Sequence, residues 1–146
     1  MHIAAVIKRK GSDVVSIAPD RTIAEAVSLL TKNRIGAVLV LDSTGEIHGI
    51  LSERDIVSGL SRHGADALTQ RVDALMTRDV LRCSPHDTIA EVMEVMTERR
   101  TRHLTVMENG KLAGLISIGD VVKQRLIDAN LEVETLRGYV SLRADS

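Results

Sequence analysis

Residues 88–120 read TIAEVMEVMTERRTRHLTVMENGKLAGLISIGD, and residues 22–55 read TIAEAVSLLTKNRIGAVLVLDSTGEIHGILSERD. An offset of 66 superposes Pro19 on Pro85, Thr22-Ile23-Ala24-Glu25 on Thr88-Ile89-Ala90-Glu91, Arg34 on Arg100 and Val40 on Val106. One residue is then lost in a turn, and an offset of 65 superposes Gly45 on Gly110, Gly49 on Gly114, Ser52 on Ser117 and Asp55 on Asp120. Internal similarity at a fixed period marks a chain built from two copies of one supersecondary unit.

Each copy reads the same way. Thr22 followed three residues later by Glu25 spells a capping box, and Ile23, Ala26, Val27 and Leu30 share one face of a 3.6-residue period, so a helix starts here. Residues 37–41 and 47–51 are apolar runs of strand length joined by Asp42-Ser43-Thr44-Gly45, which predicts a hairpin. Neither run alternates with polar residues, so the sheet is expected to be covered on both faces. Ser52-Glu53-Arg54-Asp55 opens a second helix through about Leu60, and an extended run at residues 14–17 precedes the unit, giving β-α-β-β-α. The second copy repeats the order: a run at 80–83, the Thr88 and Glu91 box, the face Ile89, Val92, Met93 and Met96, a hairpin around Glu108-Asn109-Gly110, and a helix from Ser117.

Around the copies, residues 1–10 predict a short amphipathic helix through Ile3, Val6 and Ile7, residues 61–70 read as a linker, and residues 72–76 as a helical turn. The division expected from this is 1–70 for the N-terminal segment and first unit, 71–128 for the second unit, and 129–146 for a C-terminal helical extension. Val121, Val122, Leu126, Leu131, Leu136, Tyr139 and Val140 carry an apolar stripe past the repeat. It is expected to pack on its own domain, with a subunit interface as the other reading.

The chain has 146 residues and is 44% apolar, enough for a core. With 19 basic and 20 acidic side chains it has no electrostatic footprint for nucleic acid or an anionic membrane. Phe and Trp are absent and Tyr139 is the one aromatic residue, so a bound ring would lie between aliphatic side chains, and a single-strand or RNA reader built on aromatic platforms is not expected. Cys83 is the lone cysteine, so no intrachain disulfide can form. No secretory leader or membrane-length apolar run is present, and a cytoplasmic protein is expected. The five histidines lack metal-ligand spacing, and no metal site is expected.

Two tandem units with a capped helix, a hairpin and a closing Gly-x-x-Ser-x-x-Asp resemble the CBS domain pair, named after cystathionine β-synthase, over residues 12–128. The resemblance implies an α+β fold of two β-α-β-β-α units packed as a pseudo-two-fold pair (a Bateman module) with two clefts, here with nothing fused. It also implies adenosine ligands (AMP, ADP, ATP or NADH, with S-adenosylmethionine a further candidate), a homodimer, and regulation of an unidentified protein partner without a catalytic cofactor. By family analogy, one cleft combines Ser117, Gly119 and Asp120 with the small Ala18, Gly36 and Ala37. The other combines Ser52, Arg54 and Asp55 with Ser84, Arg102 and His103, and is expected to prefer more phosphate charge.

The chemistry of these residues suits such a ligand. A helix N-terminus with a serine hydroxyl favours a phosphate, and a carboxylate can accept from both ribose hydroxyls. Ser-x-x-Asp is equally an acidic capping box that is complete without any ligand. Gly49 and Gly114 are where a side chain could block close approach to a ligand, or are ordinary strand kinks. No paired acid and base or activated nucleophile emerges, so binding rather than turnover is expected. Two other classes stay open: an interaction scaffold with empty clefts, and a nucleotide hydrolase using Asp55 or Asp120.

Overall fold

The computed structural model describes the backbone of residues 1–144 and the side chains of residues 1–134 and of Leu136. Helix α1 (Ile3–Lys10) comes first; strand β1 (Ser16–Ile17), helix α2 (Ile23–Asn33), strands β2 (Ala37–Leu41) and β3 (Ile47–Ser52) and helix α3 (Glu53–His63) form the first copy. A 3-10 helix (Gly64–Thr69) and helix α4 (Val72–Leu75) follow. Strand β4 (Arg82–Cys83), helix α5 (Ile89–Arg99), strands β5 (His103–Glu108) and β6 (Lys111–Ser117) and helix α6 (Ile118–Ala144) form the second copy. The fold is α+β, with β-α-β-β-α spelled twice.

Each copy carries one three-stranded sheet, in the orders β1-β2-β3 and β4-β5-β6, the first pair parallel and the second antiparallel. The register slips by a bulge at matching places, between Val40 and Leu41 and between Val106 and Met107. The residue lost between the copies belongs to the hairpin turns. The first is a wide loop knotted by Asp42, while Asn109 and Gly110, at φ 53° and 74°, close the second in two residues. Helices α2 and α5 both end on a left-handed arginine, Arg34 at φ 53° and Arg100 at φ 52°, whose N–H groups cap the last turn. An L-residue held there costs free energy that the cap offsets.

The chain divides into two compact units, residues 13–81 and residues 1–12 with 82–146. A division near residue 70 follows the linear repeat; the folded units instead carry the first twelve residues over to the second copy. The cause is a third repeated segment. In the first copy Val72 and Asp73 N–H donate to the Arg21 and Pro19 carbonyls, and Ile23 N–H donates to Gln70 O. In the second, Ile3 and Ala4 N–H donate to the Asp87 and Pro85 carbonyls, and Ile89 N–H to Met1 O. Helix α1 therefore does for the second copy what α4 does for the first, with Ile3 and Val6 buried where Val72 and Leu75 are buried.

The core of residues 13–81 gathers Ile23, Ala26, Leu30, Val38, Val40, Leu51, Ile56, Ala67, Val72, Leu75 and Met76. In the other unit Ile3, Val6, Ile89, Val92, Met96, Leu104, Val106, Ile116 and Val121 are buried. Full burial of such a side chain stabilises by about 1.5–3 kcal/mol. Residues 37–40 of β2 are all buried, as their unbroken apolar run predicts for a sheet covered on both faces.

Three local expectations change. Helix α3 continues to His63, and the segment read as a linker continues as the 3-10 helix, because Ala67 is fully buried against α3. The boxes at Thr22 and Thr88 are half formed: each hydroxyl accepts from the N–H of Glu25 or Glu91, but the Glu25 carboxylate pairs with Arg21 at 3.4 Å. The apolar stripe of α6 is also not packed on its own unit as a whole. Val121 is buried, but Val122, Leu126, Leu131 and Leu136 are exposed, and the side chains of Tyr139 and Val140 lie outside the described residues.

Candidate functional site

The two Ser-x-x-Asp segments stand at the junctions β3–α3 and β6–α6, where an extended residue turns into the first helical turn. In the first unit of sequence, Ser52 N–H and Oγ donate to Asp55 Oδ2 at 2.9 and 3.0 Å, and Asp55 N–H donates back to Ser52 Oγ at 3.3 Å. In the second, Ser117 N–H and Oγ donate to Asp120 Oδ2 at 2.8 and 3.0 Å, and Asp120 N–H returns to Ser117 Oγ at 3.2 Å. Both are closed capping boxes, whereas at α2 and α5 only the threonine half of the box is made.

The neighbouring carbonyl completes each junction. Gly36 O accepts from Glu53 N–H at 2.9 Å, and Arg102 O accepts from Ile118 N–H at 2.8 Å. Ala37 is the register partner of Ser52, and His103 is that of Ser117. Among residues 13–81 the fold therefore brings Gly36, Ala37, Ser52, Arg54 and Asp55 to one junction, with Arg54 exposed and Ala37 buried. Among residues 82–146 it brings Arg102, His103, Ser117, Gly119 and Asp120 to the other, with Arg102 and Gly119 exposed. Ala18 and Ser84 lie half-buried at the ends of β1 and β4; Ser84 N–H donates to Asp87 Oδ2 at 2.8 Å in a turn of its own.

What touches the two aspartates differs. Thr77 Oγ1 donates to Asp55 Oδ1 at 2.9 Å, and Thr77 N–H donates to Ile50 O at 2.9 Å. At the corresponding place Lys10 Nζ donates to Asp120 Oδ2 at 2.6 Å and to Leu115 O at 2.7 Å. One ammonium at the end of α1 thus takes over both the hydroxyl and the backbone N–H that Thr77 supplies after α4. Arg9 lies beside it, its Nη2 on Asp120 O at 3.0 Å and its Nε on Gln124 Oε1 at 3.1 Å. Burial alone would raise the Asp120 carboxyl, but the Lys10 hydrogen bond, the Ser117 N–H and the ammonium charge outweigh it and hold the pKa below the usual carboxylate value.

Sequence reasoning passed over Lys10, Arg9 and Thr77. A signal for them was present: residues 3, 6 and 7 repeat the apolar spacing of residues 72, 75 and 76, which aligns the end of α1 with the residues after α4. The glycines have a packing reason. A Cβ on Gly49 would stand 2.5 Å from Thr77 O, and one on Gly114 would stand 2.6 Å from Ile7 Cδ1, so each glycine admits the segment after α4 or within α1.

Two further groups bear on chemistry. Burial, and then the charge of Asp87, push the Cys83 thiol up to about 12, which leaves it protonated and unreactive. Asp42, Glu46 and His48 place one ligand atom each within 4.8 Å of one another, a grouping the histidine spacing did not suggest. The Asp42 carboxylate is already engaged: Oδ1 accepts from Thr44 and Glu46, and Oδ2 meets His48 Nε2 at 2.8 Å. Hydrogen bonds from Thr44 and His48 hold that carboxyl far below its usual range, as a loop clasp requires. Among the described residues, no helix is long and apolar enough to cross a membrane.

The family model for the CBS domain matches residues 6–62 and 72–126. The CBS-domain-containing protein ATU1752 from Agrobacterium tumefaciens is 48% identical and superposes with a TM-score of 0.83, covering 85% of this chain and 92% of its own. The mitochondrial CBS domain-containing protein CBSX3 of Arabidopsis thaliana is 29% identical over 94% of this chain and 71% of its own length. The gamma-3 subunit of 5′-AMP-activated protein kinase from Sus scrofa is 28% identical over 77% of this chain and 23% of its own length. With the repeat, the two matching sheets and both Ser-x-x-Asp junctions accounted for, the chain belongs to the CBS-domain family and carries the domain twice.

Proposed function

We propose that the chain is a regulatory module that binds adenine nucleotides (AMP, ADP, ATP or NADH) and passes their level to a protein partner. The observation that supports this best is the pair of Ser-x-x-Asp junctions, each presenting a helix N-terminus and a partly accessible carboxylate at the end of an apolar strand. The relative whose name records activation by 5′-AMP points to the same ligand class. In this reading Asp55 and Asp120 accept from ribose hydroxyls and the basic residues meet phosphate. The Asp120 junction has Lys10, Arg9 and Arg102 near it and the Asp55 junction has Arg54, so the two prefer different phosphate counts. No catalytic step is required, and the free, buried Cys83 fits a reducing, cytoplasmic setting.

The test is a thermal-shift series with AMP, ADP, ATP, NADH and S-adenosylmethionine on the wild type and on Asp55→Ala and Asp120→Ala. A ligand at 100 times its Kd stabilises by about 2.7 kcal/mol. Each substitution should abolish one component of binding while the circular-dichroism spectrum persists. If none of the five ligands shifts the wild type, the nucleotide reading is wrong. One specific observation favours a scaffold instead: in both capping boxes the serine and aspartate satisfy each other within the chain.

A further inference from the structure

A ladder of polar side chains climbs helix α6 and stops short. Arg9 Nε donates to Gln124 Oε1 at 3.1 Å, and Gln124 Nε2 donates in turn to Asp128 Oδ1 at 3.1 Å. The other carboxylate oxygen, Asp128 Oδ2, is buried and has no hydrogen-bond partner among the described residues. Buried acceptors in this condition are rare, because an oxygen taken out of water without a donor costs free energy that only a new donor recovers.

Asp128 also lines a groove of about 520 Å³, together with Met1, Leu131, Glu132 and Leu136. Small-molecule sites occupy roughly 300–1,000 Å³. Glu132 stands one helical turn beyond Asp128 on the same face, and it takes part in no ion pair among the described residues. Two like charges at that spacing, about 5–6 Å between Cβ atoms, repel each other. The basic side chains at the end of α1 are held elsewhere, Arg9 by Gln124 and Asp120 O, and Lys10 by the Asp120 carboxylate and Leu115 O.

We propose that this groove binds an aliphatic primary amine, with the ammonium on Asp128 Oδ2 and Glu132 and the hydrocarbon chain along Met1, Leu131 and Leu136. Two carboxylates call for a cation. The apolar walls turn away a hard metal ion, which would take six or more oxygen ligands. Gln124 already occupies Asp128 Oδ1, so one oxygen of that carboxylate is left to accept. An ammonium, with three donors aimed apart, uses single acceptors on two residues, whereas the fixed fork of a guanidinium matches both oxygens of one carboxylate. The same negative charges repel a phosphate, so the groove and the two Ser-x-x-Asp junctions take ligands of opposite sign.

The experiment is isothermal titration calorimetry of the 146-residue chain with hexylamine near pH 7, where the amine is charged. Saturable binding at one site is expected, with a Kd of about 1 mM or tighter. Hexanol and hexanoate, which carry the same tail, should bind at least about tenfold more weakly. Asp128→Asn keeps the acceptor for Gln124 and should weaken hexylamine about tenfold or more; Glu132→Gln, at an exposed position, should weaken it about threefold. Circular dichroism verifies the fold of both variants. An absence of saturable hexylamine binding, or equal binding of hexanol, overturns the proposal, as does an Asp128→Asn chain that binds like the wild type. Should Asp128→Asn unfold, an unchanged affinity in Glu132→Gln overturns it instead. Hexylguanidinium bound more tightly than hexylamine overturns the choice of an ammonium.

Discussion

The Lys10 ammonium takes over the hydrogen bonds that Thr77 makes in the other copy, and a neutral hydrogen bond to an aspartate becomes an ion pair at 2.6 Å. The Asp120 carboxyl is held below its ordinary value, so the folded chain binds that proton less tightly than the unfolded chain does. Its contribution to stability is therefore present above the unfolded carboxylate pKa and is lost as pH falls through the lower folded value. Lys10→Met should cost about 0.5–1 kcal/mol at neutral pH, the modest figure that a side chain 34% exposed allows. The difference from wild type should shrink toward zero in acid. Urea melts from pH 7 to pH 3 measure it; a difference independent of pH would show that Lys10 acts through packing alone. The buried Cys83 thiol, raised to about 12, should resist thiol reagents at pH 8 until denaturant is added, which timed labelling with a chromogenic disulfide reads directly.

At the scale of elements, the glycines of β3 and β6 do unequal work. A Cβ at position 49 runs into the backbone oxygen of Thr77, whereas one at position 114 meets the movable end of Ile7. Gly49→Ala should destabilise by about 1–3 kcal/mol and Gly114→Ala by less, measured as chemical-denaturation midpoints at constant m-value. Helix α1 is the other element with a definite load. Ile3→Ala, emptying a fully buried position, should cost about 2–5 kcal/mol, and hydrogen exchange should rise in residues 82–117 rather than in residues 13–81. Strands, hairpins and the starts of α2, α3, α5 and α6 were legible in the sequence because local chemistry dictates them: apolar runs, Asn109-Gly110, and Thr or Ser at each N-cap. The partner of α1 was not, since Ile3 and Val6 say only that one face must be covered, not by which half of the chain. Nor was the contact of Lys10 with Asp120, which joins residues 110 positions apart. The linker reading failed at Ala67 because a small apolar residue in a polar stretch gives little warning that it will be buried.

On the scale of the whole molecule, one compact unit is continuous in sequence, residues 13–81, and the other is assembled from residues 1–12 and 82–146. During synthesis this means that α1 emerges first and cannot find its seat until β6 has followed. At about 5–20 residues per second, that interval is on the order of 6–20 s. Throughout it Ile3 and Val6 remain solvated while residues 13–81 already have all they need to collapse. The two seats are of one kind, since α4 docks against the turn of Pro19 and Arg21 and α1 against the equivalent turn of Pro85 and Asp87, so an unseated α1 and α4 compete in principle for the first seat made. The order of emergence resolves that competition: α4 arrives directly after its own seat has formed, whereas α1 must wait for one not yet made.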